Sequence, residues 1–196
     1  GKFRPARIGF QHGPASMRKM LYFLSRNEVG YHSTDYKYYL PMPSMVLAED
    51  EQSVSVYKAA NYKYVHVMEK IYRLTYLNDI KRNNVENNSI LVACGLHDGD
   101  YVFNFLKDEM TGRQDKKYYF KLHPRSNKEG VSLSIVNSGL TNVNLSDGHI
   151  KKYLDVVNEV IFTYSSAGME ANKLGIKVRM ISLPGKINQS PLLDKY

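Results

Sequence analysis

The chain has 196 residues, a single cysteine, no tryptophan and a formal net charge of +8. That length supports a sizeable core without covalent staples, and Cys94 alone excludes a disulfide framework. No run approaches the ~18 apolar residues of a membrane-spanning helix. The opening GKFRPARIGF has neither an initiator methionine nor the continuous apolar core of a signal peptide, and reads as the interior of a longer protein.

The positive charge suits acidic partners: nucleic acid, an anionic membrane surface or phosphorylated small molecules. RNEVGYHSTDYKYYL (26–40) and KKYYFKLHPR (116–125) set aromatics beside cations, as single-strand binders do. No recognition helix, glycine-rich RNA motif or cysteine–histidine finger accompanies them, which disfavours nucleic acid.

In chain order, ARIGF (6–10) predicts a short strand that runs into QHG (11–13). MVLAED (45–50) predicts a strand with an acidic exit, EQSVSVYKAA (51–60) a helix, YVHVM (64–68) a strand and EKIYRLTYL (69–77) a helix. NDIKRNNVENNS (78–89), with its five asparagines, is the linker candidate. SILVACG (89–95) is the continuous apolar run of a strand buried on both faces, with Cys94 as a small buried hydrophobe.

DGDYVFNFLKDEM (98–110) predicts a helix capped by Asp98 or Asp100. KKYYFKL (116–122) and GVSLSIV (130–136) predict strands, DGHIKKYLDVV (147–157) a helix and EVIFTY (159–164) a strand. SAGMEANKL (166–174) predicts a helix ended by Gly175, and IKVRMISL (176–183) a last strand. Strands alternating with helices in this way predict an α/β chain with a doubly wound parallel sheet.

Such sheets take ligands outside the carboxyl ends of their strands. The exits here are GLHDGD, HPRSN, SSAG and PGKINQ, all small, polar or basic. At SSAG, Ser165 and Ser166 offer hydroxyls beside the free amides of a helix start, which suits a phosphate. Serine is equally a leading N-cap, and that explains one of the pair. Glu170 falls one residue too late for a capping box and can pair with Lys173 on the helix surface.

At HPRSN, Pro124 fixes the backbone after His123, with Lys121 and Arg125 adding charge; the serines are expected one strand away. His12 in QHG is a candidate base beside Gly13, whose bare backbone allows close approach of a ligand. His97, Asp98 and Asp100 lack a compact ligand spacing, so no metal is expected.

Together, KLHPRS, VIFTYSSAGMEANKLGIKV and the upstream IGFQHG and LPMPSMVLAEDEQSVSVYKAANY resemble glycosyltransferases of GT-B architecture that act in bacterial surface polysaccharide biosynthesis. The resemblance is to sialyltransferases and polysialyltransferases, with their HP and paired-serine motifs, and to capsule Kdo transferases. It implies the end of an acceptor-side Rossmann-like domain (1–78), a linker (79–89) and a nucleotide-sugar-binding Rossmann-like domain (90–196). It further implies that His123, Pro124 and Arg125 contact the donor nucleotide, that Ser165 and Ser166 bind its phosphate, and that Glu170 is the acidic residue early in that helix. His12 is then the candidate base. The acidic motif that supplies the base in sialyltransferases has only loose echoes in HDGD and SDGH.

The implied donor is nucleotide-activated and CMP-linked, the acceptor a glycan or lipid-linked glycan. No cofactor is implied, and the implied place is the cytoplasm, at the inner face of the membrane. Two alternatives share these residues: a UDP-sugar 2-epimerase and a non-catalytic nucleotide- or glycan-binding module.

Overall fold

The computed structural model describes residues 6–25 and 42–195. The aromatic and basic stretch 26–40 lies outside them. The chain forms two compact units: Gly1–Arg73 with Gln189–Tyr196, and Leu74–Asn188. The stretch 79–89, expected as a linker, therefore lies within the second unit, and the last eight residues belong to the first. No helix among the described residues is long and apolar enough to cross a membrane.

The first unit is built on a three-stranded parallel sheet in the order β1 (Ile8–Phe10), β2 (Met45–Ala48), β3 (Val65–Val67). Helix α1 (Glu51–Ala59) connects β2 to β3. Its N-cap Asp50 accepts the Ser53 amide at 2.7 Å, which fixes the helix start at the acidic exit of β2. Val46, Ala48, Val54, Val56, Tyr57 and Val65 form the core. The 3-10 helix Pro191–Lys195 near the chain's end is tied into the same unit: Asp194 accepts from the Met17 amide at 2.8 Å, and Gln52 donates to the Pro191 carbonyl at 2.7 Å.

The second unit carries a five-stranded parallel sheet of β4 (Glu86–Ala93), β5 (Lys117–Lys121), β6 (Val143–Leu145), β7 (Val157–Phe162) and β8 (Lys177–Met180). Its order, β6-β5-β4-β7-β8, is that of a Rossmann-like doubly wound sheet, with the switch point between β4 and β7. Helices α2 (Gly99–Gly112) and α3 (Lys128–Ser138) precede the strands on one side of that point. Helix α4 (Lys151–Leu154) lies in the crossover from β6 to β7, and α5 (Ser166–Lys173) connects β7 to β8. Ile90, Val92 and Cys94 of the central strand and its exit pack with Val102, Phe103 and Leu106 of α2 and with Tyr118 and Phe120 of β5. Central β4 is apolar on both faces because both are covered.

Three expectations need correcting. GVSLSIV is not a strand but lies inside α3, which Asn127 caps by accepting the Glu129 amide at 3.0 Å and which Gly139 ends in the left-handed conformation. Its alternation of apolar residues places Val131 in the core and leaves Leu133 exposed, so the period-two pattern was coincidental. The strand in this region is instead β6, in TNVNL. EKIYRLTYL forms a 3-10 helix, Tyr72–Asp79, and the helix expected at 147–157 is one turn long because Val157 already starts β7.

Candidate functional site

In the first unit the carboxyl ends of β1 and β2 are joined by Gln11. Its amide donates to Ser53 Oγ at 3.1 Å and to the Gly13 carbonyl at 2.8 Å, and its side-chain oxygen accepts from the Glu49 amide at 2.9 Å. Gln11 is buried and His12 exposed, so QHG fixes a strand end and presents the imidazole to solvent. A Cβ on Gly13 would meet nothing within 4 Å. Glu49, buried at the exit of β2, is held at two points by the Arg73 guanidinium.

In the second unit the three central strands end in one row, with Ala93 opposite both Lys121 and Phe162. Everything that leaves these strands therefore emerges at one edge of the sheet. From β7 the chain passes through Thr163 and Tyr164 to Ser165, the N-cap of α5, whose hydroxyl accepts the Ala167 amide at 3.4 Å. Capping accounts for Ser165. Ser166 is the first residue of the helix, half-buried, and its hydroxyl has no hydrogen-bond partner among the described residues.

Gly168 lets α5 approach β7, because a Cβ there would stand 2.4 Å from the Phe162 ring. The expected surface pair of Glu170 with Lys173 is not made. Glu170 is 6% exposed and accepts the Tyr76 hydroxyl at 2.6 Å.

From β5 the chain enters a turn in which Ser126 N–H donates to the His123 carbonyl at 2.9 Å. His123 Nδ1 accepts the Arg125 amide at 3.2 Å, so the neutral ring carries its proton on Nε2 and can donate there. Burial, then Arg125 and His97, hold the imidazole below its ordinary value, which keeps it neutral at pH 7. Pro124 and Arg125 are exposed on this turn.

The turn is pinned to the exit of β4 by Ser126 Oγ, which donates to the Leu96 carbonyl at 2.7 Å. Between the two turns lies a cavity of about 190 Å³, lined by Leu96, His97, Asp100, Tyr101, Ser126 and Asn127 among others. That is below the usual range of roughly 300–1,000 Å³ for ligand pockets, so it admits part of a nucleotide rather than all of it.

His123 and the serines are not one strand apart. Strand β4 lies between β5 and β7, so their strands are separated by roughly 9–10 Å. The intervening exit, Gly95–Asp98, holds residues that the motif reading did not single out as site residues. Asp98 is 4% exposed, and its Oδ2 accepts the Thr163 hydroxyl at 2.5 Å across the switch point. It stands at the N-cap of α2 yet makes no side-chain cap bond. Burial pushes its carboxyl above the ordinary range, and the bond from Thr163 only partly offsets this. The Tyr164 ring lies against Gly95. An acidic residue three positions beyond the glycine that ends the central strand was the available signal for Asp98; nothing local marked Tyr164.

The arrangement can donate to an anion from the Ser166 hydroxyl, the α5 helix start and His123 Nε2, all at one sheet edge. No family model matches the chain, and no curated protein matches it. Among solved structures, it is similar to the UDP-GlcNAc 2-epimerase of Methanocaldococcus jannaschii, crystallised with UDP-GlcNAc and UDP, at 14% identity and a TM-score of 0.45. The likeness covers 70% of this chain, which spans under half (45%) of that one.

Proposed function

We propose that the second unit binds a nucleotide-activated sugar and that the chain is part of a glycosyltransferase of bacterial surface polysaccharide assembly. The observation that carries this reading is the row formed by the ends of β4, β5 and β7. It brings an unpartnered serine at a helix start and a neutral imidazole donor to one edge of a doubly wound sheet.

In transfer, an acceptor hydroxyl attacks the anomeric carbon as the bond from that carbon to the phosphate oxygen breaks. The phosphate leaves with the bonding electrons. Ser166, the positive end of the α5 helix dipole and His123 Nε2–H would stabilise that charge without rearranging. The acceptor proton passes to a general base. Glu170, engaged by Tyr76, serves the fold of the site more than direct phosphate contact.

The test is an NMR titration of the full chain with CMP and UMP. The reading expects the amides of residues 123–126 and 165–168 to shift together and to saturate at one dissociation constant. Shifts confined elsewhere would refute it. Incubation with nucleotide sugars then separates the chemistries: transfer requires an acceptor and frees the nucleotide, whereas a 2-epimerase acts without one.

A further inference from the structure

Helices α2 and α3 begin beside each other at the exits of β4 and β5. Asn127 caps α3 by accepting the Glu129 amide at 3.0 Å. Gly130, in the first turn of α3, lets the side chain of Asp100 come close: a Cβ there would stand 3.3 Å from Asp100 Oδ2. Asp100 itself belongs to the first turn of α2. A helix start carries roughly half a positive charge, and this one carboxylate answers two of them. It makes no ion pair with any described residue.

The cavity of about 190 Å³ lies here, and the Ser126 hydroxyl ties its two turns together by donating to the Leu96 carbonyl at 2.7 Å. The side chains that line it differ in kind. Asp100 only accepts, whereas Asn127 Nδ2, left over once Oδ1 caps the helix, only donates. His97 can do either through its two ring nitrogens. Tyr101 adds an aromatic wall with a hydroxyl, and Lys186 Nζ stands 4.1 Å from the centroid of its ring.

Donors and acceptors set around an aromatic ring suit a polyhydroxylated ring. Each hydroxyl both donates and accepts, and the C–H face of a sugar packs on an aromatic body. A carboxylate or phosphate in the same place would meet Asp100, with both helix starts already answered. The turn that supplies Ser126 and Asn127 also carries His123, so the cavity adjoins the imidazole assigned above to the phosphate.

We propose that this cavity is the subsite for the sugar of the nucleotide-activated substrate, and that it takes a neutral hexose rather than a sugar acid. The presence of a sugar rests on the nucleotide-sugar reading above; the selection against an acid rests on Asp100. It departs from the acidic sugars handled by the sialyltransferases and Kdo transferases that the sequence resembles.

The test is calorimetric titration of the full chain, of Asp100→Asn and of Asn127→Ser with UDP, UDP-glucose and UDP-glucuronic acid. The two sugars differ by a carboxylate, and serine preserves the α3 cap. In the full chain UDP-glucose should bind about tenfold tighter than UDP, as a hydrogen bond to a charged group gives. UDP-glucuronic acid should bind no tighter than UDP. Asp100→Asn removes the repulsion and should bring the glucuronic acid level with glucose, and Asn127→Ser should reduce the advantage of UDP-glucose over UDP.

UDP-glucose no tighter than UDP, or an advantage unchanged in both variants, overturns the sugar subsite, while UDP binding leaves the nucleotide site standing. Equal gain from both sugars in the full chain overturns the selection against acids. A chain that binds CMP but none of the three UDP compounds overturns this inference alone. One that binds no nucleotide overturns the nucleotide reading and this inference with it.

Discussion

Thr163 Oγ1 donates to Asp98 Oδ2 at 2.5 Å, joining the exits of β7 and β4 across the switch point. The carboxyl it reaches is held above its ordinary range by burial. The folded state therefore binds the Asp98 proton more tightly than the unfolded chain does. Stability falls as pH rises from the unfolded value through the folded one, and the cost is complete above both.

Asp98→Asn keeps an acceptor for Thr163 and removes the charge. It should raise the melting temperature at pH 7, with each kcal/mol worth about 2–4 °C in a chain of this size. The advantage should vanish toward pH 3, below the ordinary aspartate pKa of about 3.9. Thermal unfolding of both proteins from pH 3 to 8 checks this, and a less stable asparagine variant at pH 7 contradicts it.

Gly168 holds α5 against β7. Gly168→Ala would press a methyl into the Phe162 ring, which is almost wholly buried and has little room to retreat. The expected loss is about 1–3 kcal/mol, with partial recovery in Gly168→Ala/Phe162→Leu. Denaturant unfolding reads both. An alanine variant as stable as the parent would mean that the helix is not packed as described.

In the first unit, Glu49 is buried against Arg73. Arg73→Ala leaves the carboxylate in place without its guanidinium and should cost about 3–5 kcal/mol. Arg73→Ala/Glu49→Gln should recover much of this, since the buried charge is gone. Urea unfolding of the two variants decides it; equal stability would contradict the burial of a charged glutamate.

His123 is neutral at pH 7 in the free protein because burial, Arg125 and His97 lower its pKa. The negative charge of a bound phosphate favours the imidazolium, so CMP should raise the midpoint of the imidazole Cε1–H titration. His123→Ala identifies the resonance. An unmoved midpoint at saturating CMP would place the phosphate elsewhere.

The architecture was legible where one physical signal dominated. The continuous apolar run ILVAC reads as a doubly covered strand, and its first four residues lie in the central one. Gly175 marked the end of α5 by capping chemistry, and the serine pair marked its start without telling which of the two is the cap, which proves to be Ser165. Reading failed where signals competed: Val131, Leu133 and Ile135 alternate as in a strand, yet the Asn127 cap and left-handed Gly139 enclose a helix.

The site was legible only as a set of strand exits. Which exits are neighbours depends on the crossover that inserts β4 between β5 and β7, and this separated His123 from the serines. Tyr164 reads as one tyrosine among sixteen, and its contact with Gly95 is a product of the tertiary fold.

The most direct measurement is the melting temperature of the full chain with CMP, UMP, UDP and GDP, repeated with Ser166→Ala. A ligand at 100 times its dissociation constant adds about 2.7 kcal/mol, which amounts to roughly 5–10 °C here. The account predicts such a rise with at least one of these nucleotides and its loss in the serine variant, whose own melting temperature stays near that of the parent. No rise with any nucleotide up to millimolar concentration, or an equal rise in Ser166→Ala, would contradict it.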